Sequence, residues 1–179
     1  MQIEWDKFSK SINGKVDKSK ESYENPNNIF KITTDKNQIE LTWGNRPEKG
    51  RGNYVTLETR LKYELNIPQE IKLKICPNDF FAKTISLFSK NKQKTGIKDL
   101  DSAYVFICSS NGLINDLAEE FKIFYRNNSY KNFTIDVETI TDKPFLSVFI
   151  PELITTQKTL AFYYTFGLQL VKKINGIKV

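Results

Sequence analysis

The residues best suited to chemistry in this sequence are two carboxylates, Asp99 and Asp101, directly before an apolar segment that begins at Tyr104. An Asp-x-Asp pair supplies the oxygen ligands that divalent cations prefer, so it is a candidate metal site and, with a metal, a candidate enzyme centre. An aspartate before a strand also commonly accepts hydrogen bonds from backbone N–H groups of a turn. We favour this structural role and expect Asp101 to bond backbone N–H groups where the loop enters the strand.

The sequence contains no histidine, the side chain most often used as a general base and as a neutral metal ligand. Its absence rules out Ser-His and Cys-His nucleophile pairs. No phosphate-binding glycine loop leads from a strand into a helix, because Gly50 and Gly52 precede a strand instead. We therefore expect a protein that is not a hydrolase, uses no cofactor and is better suited to binding than to catalysis.

Lysines are concentrated in residues 80–98, a segment without any acidic residue. Lys90, Lys92, Lys94 and Lys98 could contact an anion such as phosphate. Aromatic residues that stack on bases should alternate with the lysines of a nucleic-acid site, whereas the nearby phenylalanines are spaced as the buried side of a helix. We predict a solvated basic loop and disfavour nucleic acid as a partner.

Residues 155–174 carry the strongest helical pattern, since their apolar side chains recur at steps of three and four. Two stripes follow from this spacing: Leu160, Tyr164, Leu168, Val171 and Ile174, and Phe162, Phe166 and Leu170. Leaving out the terminal Leu160 and Ile174, we predict that at least five of the remaining six side chains are mostly buried. Tyr163 and Gln169 should lie nearer the edge, and Gly167 should mark a close approach of another segment. A gap beneath this helix would create an apolar pocket at Phe162, Phe166 and Leu170.

The first half of the chain reads mainly as strands that must support this helix. In order, we predict a helix over 2–13, a polar loop over 15–28, a hairpin of strands 30–33 and 39–43, an exposed loop over 44–53, and strands over 54–65 and 71–75. The last two strands alternate apolar and charged residues. We expect them to pair with each other and to place Glu64 opposite Lys72.

The second half mixes helices with strands. We predict a helix within 79–89, a central strand over 104–108, a helix capped by Ser109, Ser110 or Asn111, and a hairpin of strands 131–140 and 145–150. The buried side of the capped helix should consist of Leu113, Ile114, Leu117, Phe121 and Phe124, with Glu119 and Glu120 solvated. These elements predict an α+β fold over residues 1–179: one domain with a mainly antiparallel sheet, covered on one face by helices that include the long C-terminal helix. Residues 1–28 form a helix and a polar lead-in that pack peripherally.

Composition limits the class of protein further. With 179 residues, of which 39% are hydrophobic and 13% aromatic, the chain can bury a sizeable core. Its net charge of +6 permits attraction to anionic partners without requiring it. No apolar run reaches the ~20 residues of a membrane span, and the first residues do not resemble a secretory signal. Cys76 and Cys108 lack a CxxC spacing, so we expect two reduced thiols in a soluble cytoplasmic protein.

The segment from Gly96 to Phe106 resembles a signature in a family of uncharacterised bacterial proteins, in which a glycine and an aromatic-Asp pair precede a hydrophobic strand and a serine-rich helix start. The matching positions are Gly96, Asp101, Tyr104 and residues 109–111. Ile97 and Leu100 stand where the family has Asp and Phe. The likeness covers about the last hundred residues. It implies these element boundaries and a bacterial origin, but the family has no established activity and supplies no site.

These observations predict a non-catalytic binding or scaffolding domain whose partner is another protein. The first alternative is a binding protein for an apolar small ligand, held between the C-terminal helix and the sheet at Phe162, Phe166 and Leu170. The second alternative is a metal-dependent enzyme that uses Asp99 and Asp101.

Overall fold

The computed structural model describes residues 2–20, 28–48, 52–67, 71–79, 90–110, 112–128, 132–140 and 142–176. The helices in this part of the chain are α1 (Gln2–Ser11), α2 (Lys98–Ala103), α3 (Leu113–Asn127) and α4 (Gln157–Asn175). The strands are β1 (Lys15–Lys20), β2 (Asn28–Thr33), β3 (Asn37–Glu48), β4 (Gly52–Glu64), β5 (Leu73–Pro77), β6 (Lys92–Gln93), β7 (Tyr104–Cys108), β8 (Thr134–Ile140) and β9 (Lys143–Ile150).

The nine strands form one antiparallel sheet with the order β1-β2-β3-β4-β9-β8-β5-β7-β6. Helices and an antiparallel sheet in one chain confirm the predicted α+β class. The β2–β3 hairpin was predicted correctly, and its register places Phe30 opposite Leu41 and Ile32 opposite Ile39. All four side chains are buried. Strands β8 and β9, the second predicted hairpin, are neighbours in the sheet.

The chain forms two compact units, Met1–Lys62 with Phe149–Tyr164, and Tyr63–Val148 with Thr165–Val179. The first unit is organised around Trp5 of α1, which is fully buried. Its indole Nε1–H donates a hydrogen bond of 2.8 Å to the carbonyl oxygen of Ile154, and its ring centroid lies 5.2 Å from those of Phe30 and Trp43. Helix α1 is therefore part of the core of this unit.

Thr59 of β4 makes a second connection inside the first unit. Its hydroxyl donates to the carbonyl oxygen of Glu152 at 2.9 Å and accepts from the backbone N–H of Ile154 at 2.9 Å. The single O–H donor of this buried hydroxyl is satisfied, and its oxygen also serves as an acceptor. These two bonds fix the segment that connects β9 to α4, which contains the carbonyl that Trp5 uses.

Aromatic rings from α3 and the second half of α4 form the core of the second unit. Phe166 stacks on Phe124 with 3.7 Å between ring centroids and meets the edge of Phe121 at 5.4 Å. Phe121 also contacts Phe106 of β7 at 5.8 Å. The buried side predicted for α3 is confirmed, because Leu113, Ile114, Leu117, Phe121 and Phe124 are all buried.

The predicted pairing of residues 54–65 with residues 71–75 is wrong. Strand β4 lies between β3 and β9, and β5 lies between β8 and β7. Glu64 consequently meets Lys143 of β9, with 3.1 Å between the carboxylate and the ammonium group, and not Lys72. Alternation shows which side chains share a face of a strand, but the same pattern suits any antiparallel neighbour.

Two predicted loops and the position of one strand also differ from the prediction. The segments predicted as loops, 15–28 and 44–53, contain β1 and the adjoining ends of β3 and β4. Strand β1 forms despite its polar sequence because its backbone pairs with β2 while its described side chains stay exposed. Strand β7 is second from the edge of the sheet and not central. The helix predicted within 79–89 lies almost entirely outside the described residues.

The start of α3 also differs from the prediction. Its N-cap is Gly112, with φ of +85° and no side-chain cap, so the predicted Ser or Asn cap is wrong. Glycine adopts this left-handed conformation without a steric penalty. The turn therefore relies on the backbone freedom of glycine and not on a side-chain hydrogen bond.

The prediction that at least five of six apolar side chains of α4 are mostly buried is confirmed, because among the six only Leu168 is exposed, but the position predicted for Tyr163 is wrong. The fully buried side chains are Leu160, Tyr163, Phe166, Leu170 and Ile174, which share one arc of about 120° at about 100° per residue. Phe162, Tyr164 and Val171 are half-buried on its flanks, and Leu168 is 40% exposed. Tyr163, predicted near the edge, lies at the centre of the buried arc, whereas Gln169 is exposed as expected.

Candidate binding cleft between two helices

Asp101 holds the turn between β6 and α2. One carboxylate oxygen accepts hydrogen bonds from the backbone N–H and the hydroxyl of Thr95, both at 2.8 Å, and the other accepts from the N–H of Gly96 at 3.1 Å. The prediction that Asp101 bonds backbone N–H groups is confirmed, although Asp101 lies within a helix and not in a loop. Gly96 has a φ of +75°, which explains why a glycine occupies this turn.

Asp99 lies on the same short helix but in a different environment. It is exposed, and among the described residues its carboxylate has no partner. Residues at positions i and i+2 of a helix do not face each other. The structure therefore does not bring Asp99 and Asp101 together as ligands for one ion, and the oxygens of Asp101 already accept three hydrogen bonds.

The predicted anion contacts, Lys90, Lys92, Lys94 and Lys98, are all exposed. Lys92 belongs to β6, the strand at one edge of the sheet. Lysines on an edge strand commonly prevent unwanted pairing with another sheet. The arrangement agrees with a solvated basic segment.

The three residues of the predicted apolar pocket do not share one environment. Phe166 and Leu170 are buried in the second unit, where Phe166 stacks against Phe124. Phe162 is half-buried and belongs to the first unit, where its ring meets the edge of Tyr163. The small-ligand alternative stays a prediction without a specific contact in its favour.

The two cysteines lie on neighbouring strands and face opposite sides of the sheet. Cys108 of β7 lies opposite Leu73 of β5, and Cys76 of β5 lies opposite Val105 of β7. Cys76 is three positions from Leu73 along β5, which is an odd number. Alternate residues point to opposite faces of a strand, and both thiols are free. Burial raises the pKa of both thiols, so neither is activated as a nucleophile.

A cleft of about 550 Å³ separates the exposed sides of α3 and α4 in the second unit. We call it the interhelical cleft. It is lined by Asp116, Glu120 and Ile123 from α3 and by Gln169, Lys172, Lys173 and Gly176 from the end of α4. Its volume lies within the range of ligand-binding pockets.

The two walls of the interhelical cleft run antiparallel. Glu120 contacts Lys173, whereas Phe124, one turn further along α3, contacts Phe166, two turns earlier on α4. The ion pair therefore joins the middle of α3 to the end of α4, and Ile123 lies about one turn further along α3. Ile123 is 61% exposed and is the large apolar side chain among the residues that line the cleft.

Glu120 has a buried carboxylate oxygen whose hydrogen-bonding capacity is not used by any described residue. Its Oε1 lies 3.2 Å from the Lys173 ammonium, but its Oε2 is buried and has no hydrogen-bond partner in the part of the chain that the structure describes. The Glu120 side chain is only 20% exposed, so the prediction that it is solvated is wrong. Among the described residues the side chains of Asp116 and Lys172 have no partner, so an acid and a base remain available on opposite walls.

Local sequence patterns contain little indication of this cleft. Asp116, Glu120 and Ile123 are spaced i, i+4 and i+7, but polar residues at this spacing are ordinary for the exposed side of a helix. The contact between Glu120 and Lys173 joins residues far apart in the chain, which no local pattern predicts. Ile123 gave the one available signal, as an apolar residue outside the buried stripe.

Comparisons with known proteins give no match: no protein-family model matches the sequence, and no curated protein or solved structure is significantly similar. Membership of the resembling bacterial family therefore stays a prediction. None of the helices in the described part of the chain is long and apolar enough to cross a membrane. The same residues contain no group of three or more acidic or cysteine side chains placed to hold a metal ion.

Proposed function

We propose that this protein is a non-catalytic binding domain, and that its partner is a protein segment that lies in the interhelical cleft. The observation that carries the proposal is the buried Oε2 of Glu120, which accepts no hydrogen bond from any described residue, although Glu120 lines a cleft large enough for a side chain. A buried acceptor without a partner costs about 1–3 kcal/mol. A partner that supplies an N–H group to Glu120 removes this cost on binding.

Ile123 gives the same cleft an apolar contact. A partner that covers its exposed side chain removes apolar surface from water, worth about 25 cal/mol per Å². Protein interfaces commonly combine a buried apolar contact with a few polar groups in fixed positions. Ile123 and Glu120 are three residues apart on α3 and therefore lie on the same side of the helix.

Selection from a random peptide display library tests this proposal, followed by binding measurements on the enriched peptides. Ile123→Glu should abolish their binding, because it places a charge where apolar contact is expected. Ile3→Glu is the matched control, since Ile3 is also a highly exposed isoleucine on a helix, at 71%, but belongs to the first unit. Enrichment of no peptides, or equal loss of binding in both variants, would refute the proposal.

Membership of the resembling bacterial family and a cytoplasmic location are part of this proposal. Both cysteines are free, as is usual for proteins of a reducing compartment. Recovery of a disulfide-linked form from unstressed cells, with thiols blocked during lysis, would contradict the cytoplasmic location.

A further inference from the structure

The pairing of Glu120 with Lys173 leaves half of a carboxylate unused. The Lys173 ammonium forms an ion pair with Oε1 at 3.2 Å, and Oε2 is buried without a donor among the described residues. An ammonium group is a compact donor, whereas the planar guanidinium of arginine presents two parallel N–H groups that match both oxygens of a carboxylate. A guanidinium is thus a better partner for Glu120 than the lysine that now holds it.

Lys173 is also easily displaced. Its side chain is 48% exposed, and an ion pair that is open to water contributes little net stability because both groups are well solvated when apart. Lysine has a long flexible side chain, so its ammonium can move into solvent without a change in α4. Movement of Lys173 and rotation of the carboxylate would bring both oxygens of Glu120 to the surface of the cleft.

Other groups around Glu120 favour a cation with an apolar neighbour. Asp116 lies one turn earlier on the same side of α3, and its unpartnered carboxylate can accept a further guanidinium N–H. The C-terminal end of α4 is the negative end of its dipole. Lys172 opposes a cation, but it is exposed and can extend into solvent. Ile123 offers an apolar surface to the residue next to the arginine.

We propose that the partner presents an arginine followed by an apolar residue, and that its guanidinium displaces Lys173 from Glu120. Lys173 then acts as a placeholder that holds the carboxylate in the free protein. This inference rests on the proposed function of the cleft as a binding site for a protein segment.

Three peptides test the chemistry directly: acetyl-Arg-Leu-amide, its lysine analogue, and its citrulline analogue, which keeps the shape of arginine without the charge. Backbone amide shifts of the ¹⁵N-labelled protein are followed during titration. We expect saturable shifts at residues 116–123 and 169–176 with the arginine peptide, binding at least about tenfold weaker with lysine, and none with citrulline. Equal binding of the arginine and citrulline peptides would overturn the inference, as would no saturable shift at millimolar concentration.

Lys173→Ala provides the sharper test, because removal of a competitor should strengthen binding of the arginine peptide roughly two- to fivefold, the effect of an exposed ion pair. Lys172→Ala removes the same charge from the same cleft and should have a smaller effect. Glu120→Gln should abolish binding, and Glu119→Gln, which changes an exposed neighbour paired with Lys122, should not. Weaker binding in Lys173→Ala would overturn the placeholder role, and this variant stays informative if Glu120→Gln fails to fold.

Failure of this inference is distinguishable from failure of the proposed function. Library peptides whose binding depends on Ile123 but that contain no arginine would refute the guanidinium partner and leave the cleft as the binding site. Enrichment of no peptides would refute both.

Discussion

A single side chain can stabilise a turn by accepting hydrogen bonds from backbone N–H groups that have no backbone acceptor. Asp101 is the main example, since its two oxygens accept three hydrogen bonds from Thr95 and Gly96 before the chain enters α2. Two of the three donors are backbone N–H groups, which must be satisfied when they are removed from water. The aspartate therefore works as a structural acceptor, and its neighbour Asp99 provides a natural comparison.

Asp101→Ala should lower the free energy of unfolding by about 1–3 kcal/mol, because it leaves these donors without their acceptor. Asp99→Ala, two positions away on the same helix, should change it by less than about 0.5 kcal/mol, as expected for an exposed side chain. Urea unfolding of the two variants measures the difference. Unchanged stability in Asp101→Ala together with loss of peptide binding would show a functional role instead.

Tyr104 is buried among aromatic rings and should affect stability at high pH. Burial raises its pKa well above the ordinary value, and the nearby Tyr125 adds to this effect. An unfolded tyrosine ionises near pH ~10 while the folded one keeps its proton. The contribution of the protonated Tyr104 to the free energy of unfolding is therefore complete below about pH 9 and is lost as the pH rises above about 10.

Tyr104→Phe should reduce this alkaline loss of stability, because phenylalanine has no proton to release. The check is the difference in unfolding free energy between pH 8 and pH 11 in the wild type and in the variant. An equally steep decline in both proteins would assign the alkaline sensitivity to other groups.

At the scale of an element, Gly167 allows α4 to pack closely against Tyr63. A Cβ atom built on Gly167 would overlap the ring of Tyr63, so the predicted close approach at this position is confirmed. A glycine inside a helix costs about 1 kcal/mol relative to alanine. Contact with the buried Tyr63 offsets this cost, and it brings Phe166 next to the rings of α3.

Phe166→Ala should lower the free energy of unfolding by about 3–5 kcal/mol, because it removes the ring that stacks on Phe124 and leaves a cavity. Such a loss is a large part of the stability of a typical domain. Leu168→Ala on the same helix is the control and should cost less than about 1 kcal/mol, since Leu168 is 40% exposed. Similar thermal unfolding of both variants would contradict the single buried arc of α4.

At the scale of the whole molecule, the proposed binding role makes no use of the residue types on which many hydrolases depend. The sequence lacks histidine, and the pKa of each thiol is raised by burial. None of the described residues that line the interhelical cleft is a cysteine, serine or threonine. Recognition through Glu120 and Ile123 requires none of these catalytic features.

The purified protein should therefore show no turnover above blank with a broad panel of ester, phosphate and glycoside substrates. The measurement is product release over several hours at high protein concentration. Activity that is abolished by Asp101→Asn but kept in the surface variant Glu119→Gln would overturn this prediction.

The sequence by itself determined the elements that depend on neighbours along the chain. The buried side of α3 follows from helical spacing, and the β2–β3 hairpin follows from two alternating segments around a short turn. Asp101 was identifiable as a turn acceptor because its donors, Thr95 and Gly96, lie within six residues. Local periodicity and short-range hydrogen bonds carry this information without the rest of the fold.

Only the tertiary structure decided features that join distant segments. Glu64 meets Lys143 because β9, and not β5, lies beside β4, and any antiparallel strand would have suited its alternation. The rotation of α4 buried Tyr163 in place of Leu168, because an all-round apolar helix takes its orientation from what packs against it. Glu120 met Lys173 for the same reason. Such contacts depend on how the whole chain packs. The residues next to each partner in the sequence do not contain this information.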